Sequence, residues 1–423
     1  MSYILPIIIL LTPLAYMLSP YAFVLLFLFE VFLFIKNVDG EGNRFLLLML
    51  LTVMCSCISI AGLRLYDLVI LIAFIKTWMR IRGHFVVSYN IFPLLAVVVI
   101  VGVFHSGSGN LTEMLRYIIC FMLFITAFNN DYDFDQIKGK IAEISITNLY
   151  FAIVVFVLNG IGRISEYTGI VASNIYIYSS ASELRMNGFF SDPNKYMAFC
   201  LAMMFIVEIW MQNGKLKNWT MVILCISSLI SMSRTAILSL LAYLFFKVIK
   251  ITLQKSRILT VILCGVIISA VVLFVFNPMI LNSLLNYLFV TSSKLMGREH
   301  TLSVNMNFQS DNRILIWEQA IELIKKQPLI GYGWNSIREM LPYPTHNTVL
   351  ELLMDSGIIG LLCYLFLMSK LLFNKYYEYT IPFVWIPMLL LDMGGYRVLF
   401  LLLGCMYWEN HTYNYSNIME DNE

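Results

Sequence analysis

Val261 to Phe276 reads VILCGVIISAVVLFVF and Leu350 to Leu367 reads LELLMDSGIIGLLCYLFL. Apolar runs of this kind recur along the chain between short polar breaks, at about the length needed to cross a hydrocarbon core of about 30 Å as a helix. Neither of these two runs alternates with period two, as the strand of a membrane barrel would. Lipid offers the backbone no hydrogen-bond partners, so such runs must close their bonds internally as helices. The rest of the 423-residue chain repeats the pattern. It is 60% hydrophobic and only 13% charged, against roughly 25% charged in a soluble domain. The expected fold class is all-α, a polytopic transmembrane bundle.

Candidate spans fall near 3–18, 20–35, 45–62, 65–79, 91–105, 112–128, 141–159, 194–211, 218–232, 235–253, 257–276, 347–373, 380–391 and 396–408, about 12–14 by the length criterion. The N-terminus has no basic region before its apolar stretch, which predicts a retained helix rather than a cleaved signal. With that end inside, alternate loops carry Lys36 and Arg44; Lys76, Arg80 and Arg82; Lys138 and Lys140; Lys215 and Lys217; Lys247, Lys250, Lys255 and Arg257; Lys370 and Lys375. The positive-inside rule is obeyed at each of them. This register places two long polar segments, about 160–193 and 277–346, on the outer side. The domain reading is a bundle over 1–276, an outer loop with an amphipathic helix over 277–346, C-terminal spans over 347–408 and an inner polar tail over 409–423, disordered from about His411.

Several function classes recede on composition. The net charge of +2 is scattered along the chain rather than massed in a patch, so no nucleic-acid partner is expected. The 8 cysteines lie in apolar runs without CxxC spacing and read as core residues. Asp131, Asp133 and Asp135 alternate as cation ligands can, yet the register puts them inside, as a solvated loop. No histidine pair has metal-ligand spacing and no GxxxxGK[ST] is present. No metal or other cofactor is expected.

The chemistry-bearing stretch runs from Asp311 to Leu367. It should open as a helix capped by Ser310 or Asp311, with Ile314, Trp317, Ile321 and Ile324 on one face, and stop at Pro328. A turn at Gly331 and Gly333 follows, then an extended approach through Pro342 and Pro344 to Thr345, a good cap for the next span. His346 and Asn347 then stand at the outer start of a transmembrane helix, where free N–H groups and the helix dipole favour an anion. A histidine there is either a base toward a sugar hydroxyl or a polar residue ending a helix. Upstream, Ser191-Asp192-Pro193-Asn194 has the form of an ordinary helix start, and Arg116 can pair with Glu113. Arg64 and Arg397 fall near outer ends and could join a basic vestibule.

Arg313, Trp317, Pro328, Gly331, Gly333, His346, Asn347, Gly357, Gly360 and Leu361 together resemble the C-terminal signature of the O-antigen ligase and O-antigen polymerase superfamily. NGFFSDPNKYMAF at 187–199 and SMSRTAIL at 231–238 resemble it in the same order. The resemblance implies a GT-C-like glycosyltransferase of the bacterial inner membrane with a periplasmic active site. It implies His346 as the base, Arg234 and Arg313 as catalytic cations on an undecaprenyl pyrophosphate, and Arg185, Asn194 and Asn347 as substrate-binding residues. The implied partners are undecaprenyl-pyrophosphate-linked oligosaccharide, membrane lipids and a chain-length regulator. Polymerase is the preferred activity, with O-antigen ligase the alternative. A lipid-linked oligosaccharide transporter is a further rival, but neither related halves nor broken helices are visible in the sequence.

Overall fold

The computed structural model describes residues 4–60, 63–105, 108–160, 186–190, 192–231, 233–255, 312–341, 343–372 and 376–420. The predicted span 257–276, the caps at Ser310 and Asp311, Ser191, Arg185 and most of both polar segments lie outside these residues.

The chain folds as α1 (Ile4–Leu18), α2 (Pro20–Ile35), α3 (Glu41–Met54), α4 (Leu65–Arg80), α5 (Ile91–Phe104), α6 (Ser108–Phe128), α7 (Phe134–Gly160), α8 (Pro193–Trp210), α9 (Lys215–Ile230) and α10 (Arg234–Lys255). After the undescribed segment come α11 (Asn312–Lys326), α12 (Ser336–Met340), α13 (Thr348–Leu367) and α14 (Arg397–Glu420). Between α13 and α14 the chain recrosses through Tyr377–Thr380, a π turn at Ile381–Trp385 and Ile386–Leu390, where Pro382 and Pro387 interrupt regular bonding. The only described strands are Ser59–Ile60 and Leu63–Arg64, an antiparallel pair of two residues each. α14 carries helix past the expected boundary at His411. No glycine or proline stands between Gly404 and Glu420 to stop it.

Burial orders the bundle. Every residue of α8 from Tyr196 to Val207 is buried, as is α14 from Arg397 to Tyr407, so these apolar-all-round helices form its axis. Outer helices turn Leu25, Phe29, Ile75, Ile100, Val222 and Leu244 outward. An apolar exterior of that extent does not face water. Four described helices, within α6, α7, α10 and α13, are long and apolar enough to cross a membrane, and further apolar helices accompany them. The protein is an all-α polytopic membrane protein.

The basic loops gather at one end of the bundle. Glu41 pairs with Lys76 (2.9 Å) and Arg80 (3.2 Å), and Glu208 with Lys217 (3.1 Å) and Lys247 (3.6 Å). Lys250 pairs with Glu378. The indoles of Trp210 and Trp408 donate to Glu409 (3.0 Å) and Asp131 (3.2 Å) at the same end. The acidic loop is fully engaged here: Asp133 accepts from the Gln136 amide and Asp135 pairs with Lys138. The segments holding Arg64, Asn194, Arg234, His346 and Arg397 lie at the opposite helix ends.

Candidate functional site at the end opposite the basic loops

The glycines of the signature build a backbone lock. α13 is broken at Gly357, whose φ of 64° and ψ of −167° lie in a region open essentially to glycine alone. The loop after α11 fills the break. Ile358 N–H donates to the Pro328 carbonyl (2.8 Å) and Ile359 N–H to that of Leu329 (3.3 Å). In return Tyr332 N–H reaches the Met354 carbonyl (2.7 Å) and Gly333 N–H that of Asp355 (2.9 Å). A Cβ on Gly331 would stand 2.5 Å from the Met354 oxygen, and one on Gly357 2.3 Å from Leu329. The broken helix unseen in the sequence is thus closed by this chain's own loop, which satisfies the freed backbone groups as a membrane interior demands. Trp334 anchors the loop: it is fully buried, its indole donates to Val98 (3.0 Å), and its amide donates to Asn110 Oδ1 (2.8 Å). Asp355 completes the lock by accepting from the amide (3.0 Å) and hydroxyl (2.8 Å) of Ser336.

The lock holds α11 against α13. Ile316 and Ala320 are buried with Ile337, Leu341 and Met354, while Leu323 and Ile324 pack beside them. This stripe differs from the expected one, because Ile321 points outward. Both stripes obey helical spacing, and only the position of α13 selects between them. Trp317 is half-buried and its indole donates to the Thr345 carbonyl (2.7 Å). That bond draws α11 to the residue just before His346. Arg313 occupies the α11 position one turn earlier.

His346 is half-buried and adopts the left-handed conformation, with φ of 49°. Asn347, rather than Thr345, caps α13, its Oδ1 accepting from Val349 N (3.0 Å) and Leu350 N (3.1 Å). Thr348 N–H donates to the Leu391 carbonyl (3.1 Å) and Glu351 N–H to that of Asn347 (3.0 Å). The first-turn N–H groups of α13 are therefore occupied, which corrects the expectation of a ready anion site there.

Thr348 ties the start of α13, two residues beyond His346, to the segment that precedes α14. Its hydroxyl donates to Leu391 O (2.8 Å) and accepts from Met393 N (2.9 Å), fixing Asp392 between them. Three residues beyond Met393, the Tyr396 hydroxyl donates to the Lys195 carbonyl (3.3 Å) in the first turn of α8. Asp192 caps α8 with Pro193 following it, as the sequence predicts. Asn194 accepts from the Ser233 hydroxyl (3.1 Å), which places the start of α10, and with it Arg234, beside α8. Met186 N–H donates to Ile230 O (3.1 Å), bringing the chain directly after Arg185 to the same corner. Asn194, Arg234, His346 and Asn347 thus belong to elements joined at one end of the bundle. Arg313 joins them through Trp317.

Two expectations about charge sort out differently. Arg116 pairs with Glu113 as expected. Arg397 does not join an open vestibule, because Asp67 neutralises it in a buried pair at 3.0 Å, with the side chains 9% and 7% exposed. Removing one partner of such a pair strands the other charge. Arg397→Met is expected to lower stability by about 3–5 kcal/mol, read as a reduced unfolding midpoint in detergent. Arg397→Met combined with Asp67→Leu should recover most of the loss.

Sequence reading missed Lys195, Asp392, Trp334 and Asp355. Lys195 carried one usable signal, a cation at a helix start away from the basic loops. The other three acquire roles only from distant partners.

No curated protein matches the chain. The family profile that does match runs from within α9 to within α13, covering Arg234, Arg313, His346, Asn347, Gly357, Gly360 and Leu361 but neither Arg185 nor Asn194. Residues 219–365 match the family described as O-antigen ligase, and over that region this multi-pass membrane protein is similar to the O-antigen ligase and polymerase type.

Proposed function

We propose that the protein is an O-antigen polymerase, or the equivalent enzyme for a capsule or exopolysaccharide, joining undecaprenyl-pyrophosphate-linked repeat units on the periplasmic face of the inner membrane. The observation that carries this reading is the convergence of the His346 loop, the first turns of α8 and α10, and α11 at the end away from the basic loops. One lipid diphosphate carries the growing chain as donor, and a lipid-linked repeat presents a sugar hydroxyl. His346 takes the hydroxyl proton as its oxygen attacks the donor's anomeric carbon. The bond from that carbon to the diphosphate breaks, and the electron pair leaves on undecaprenyl pyrophosphate. Arg234 and Arg313 oppose the charge that builds there, the role in which fixed cations act most strongly. Diphosphate is a good leaving group, so no general acid, nucleotide or metal is called for. Arg185, Asn194 and Asn347 border the substrates, and a chain-length regulator is a partner of the complex. In this reading residues 1–276 and 347–408 form the bundle, 277–346 the outer loop and 409–423 the inner tail.

The match to a family described as O-antigen ligase favours a second reading, in which the finished chain passes to the lipid A core. A gel of envelope polysaccharide from a strain lacking the protein separates the two. Single repeats on the core support polymerase, and full-length chains stranded on undecaprenyl support ligase.

A further inference from the structure

The exposed surface of α11 changes character where the helix ends. Glu318, Glu322, Lys325 and Lys326 are all exposed, and a face with that many charges does not sit in hydrocarbon. Just past Lys326 the exposed side chains turn apolar, with Leu329 62% and Ile330 53% exposed.

The backbone lock fixes where this switch occurs. Ile358 and Ile359 hold the carbonyls of Pro328 and Leu329, so the tip lies beside those two residues of α13. No residue of α13 from Thr348 to Gly357 is exposed, whereas Ile358, Ile359 and Leu362 are. α5 runs beside the same stretch in the opposite direction: Asn90 donates to the Phe366 carbonyl (3.2 Å), and a Cβ on Gly360 would stand 3.4 Å from Val97. The last turn of α5, where Ile100, Val103 and Phe104 are exposed, therefore comes level with the break in α13. The apolar tip continues the lipid-facing surface of the bundle, and the charged helix stands where that surface ends.

The tip is also built for such a place. Pro328 has no N–H to leave unpaired, and the lock satisfies its carbonyl and that of Leu329, as a hydrocarbon layer demands. Lys325 and Lys326 close α11 next to the tip, while Glu318 and Glu322 stand farther back along the helix. Lysine stems can lie along an apolar surface and leave the ammonium groups among lipid headgroups.

We propose that residues 325–330 seat the protein on the adjacent leaflet: Leu329 and Ile330 enter the acyl layer, and Lys325 and Lys326 bind the phosphates of anionic phospholipid. In that arrangement apolar burial and headgroup attraction add. Through the lock, the seat sets the height of α11, the helix that carries Arg313. It requires a membrane around the bundle and does not depend on glycosyl transfer.

In a chain with its native cysteines replaced, a bimane probe on Ile330→Cys or Glu318→Cys reads the depth of each position in nanodiscs. Ile330→Cys should be quenched by phosphatidylcholine bearing a nitroxide on its acyl chain and shielded from aqueous iodide, and Glu318→Cys should show the reverse. Equal iodide quenching at the two positions would overturn the seat. Quenching of Ile330→Cys by neither agent would overturn it as well, since protein would then cover the tip. The lysines are tested with the probe on Gln327→Cys, in phosphatidylcholine discs holding a little spin-labelled phosphatidylglycerol or spin-labelled phosphatidylcholine. Phosphatidylglycerol should be enriched at the probe by about fivefold for each lysine, and Lys325→Gln combined with Lys326→Gln should abolish the preference. Equal quenching by the two lipids with both lysines present, or a preference that survives their removal, would overturn the phospholipid assignment.

Discussion

Replacing His346 by alanine or asparagine should stop polymer growth, and the asparagine variant should stay in the membrane at normal abundance. Loss of a general base costs about 10²–10⁴-fold in rate, enough to remove long chains from a gel. The two variants separate chemistry from folding. His346 holds a positive φ of 49°, which alanine tolerates poorly and asparagine well. His346→Asn therefore keeps the turn that presents Asn347 as the α13 cap, and it removes the base. Near-normal chain lengths in His346→Asn would take His346 out of the base role, whatever the alanine variant does. Arg234→Ala tests the other half of the reaction. Removing one fixed cation from the departing diphosphate should cost about 10²–10³-fold, again with normal abundance.

Gly357→Val should have the largest effect on the fold. The backbone there requires a conformation that residues with a Cβ avoid, at about 1–3 kcal/mol. The added carbon would also meet the Leu329 carbonyl at 2.3 Å. That contact is backbone against backbone, so no side chain can swing aside. The sum passes the roughly 4 kcal/mol above which a single substitution is exceptional. The variant should fail to accumulate as folded protein, measured by abundance and by aggregation in detergent. Gly139→Ala, where a Cβ meets nothing within 4 Å, is the matched control. Wild-type abundance and an unchanged unfolding midpoint in Gly357→Val would show that the lock does not hold α11 to α13.

The sequence exposed those features that one segment or one rule determines. Apolar run length fixed the helices, and the lysine and arginine loops sorted them into two ends because charge asymmetry is a property of whole loops. The Asp192–Pro193 start of α8 was legible because a cap acts over two or three residues. Long-range geometry was not. Thr345 and Asn347 are both good caps, and the Thr348–Leu391 bonds accompany the choice of Asn347. Ile316 and Ile321 both fit a helical stripe until α13 is in place. Gly331 and Gly357 were recognisable as a pattern, but not as two halves of one backbone contact. Arg397 carried a charge whose partner, Asp67, lies 330 residues away along the chain.

The proposed chemistry requires the His346 end of the bundle to face the periplasm. In a chain with its native cysteines replaced, Tyr343→Cys beside the His346 loop and Lys138→Cys at the basic end are treated with a membrane-impermeant maleimide. Tyr343→Cys should be labelled from the periplasmic side, and Lys138→Cys only after the inner membrane is opened. The reverse pattern would place His346 in the cytosol, away from the lipid-linked chains, and contradict the proposed reaction.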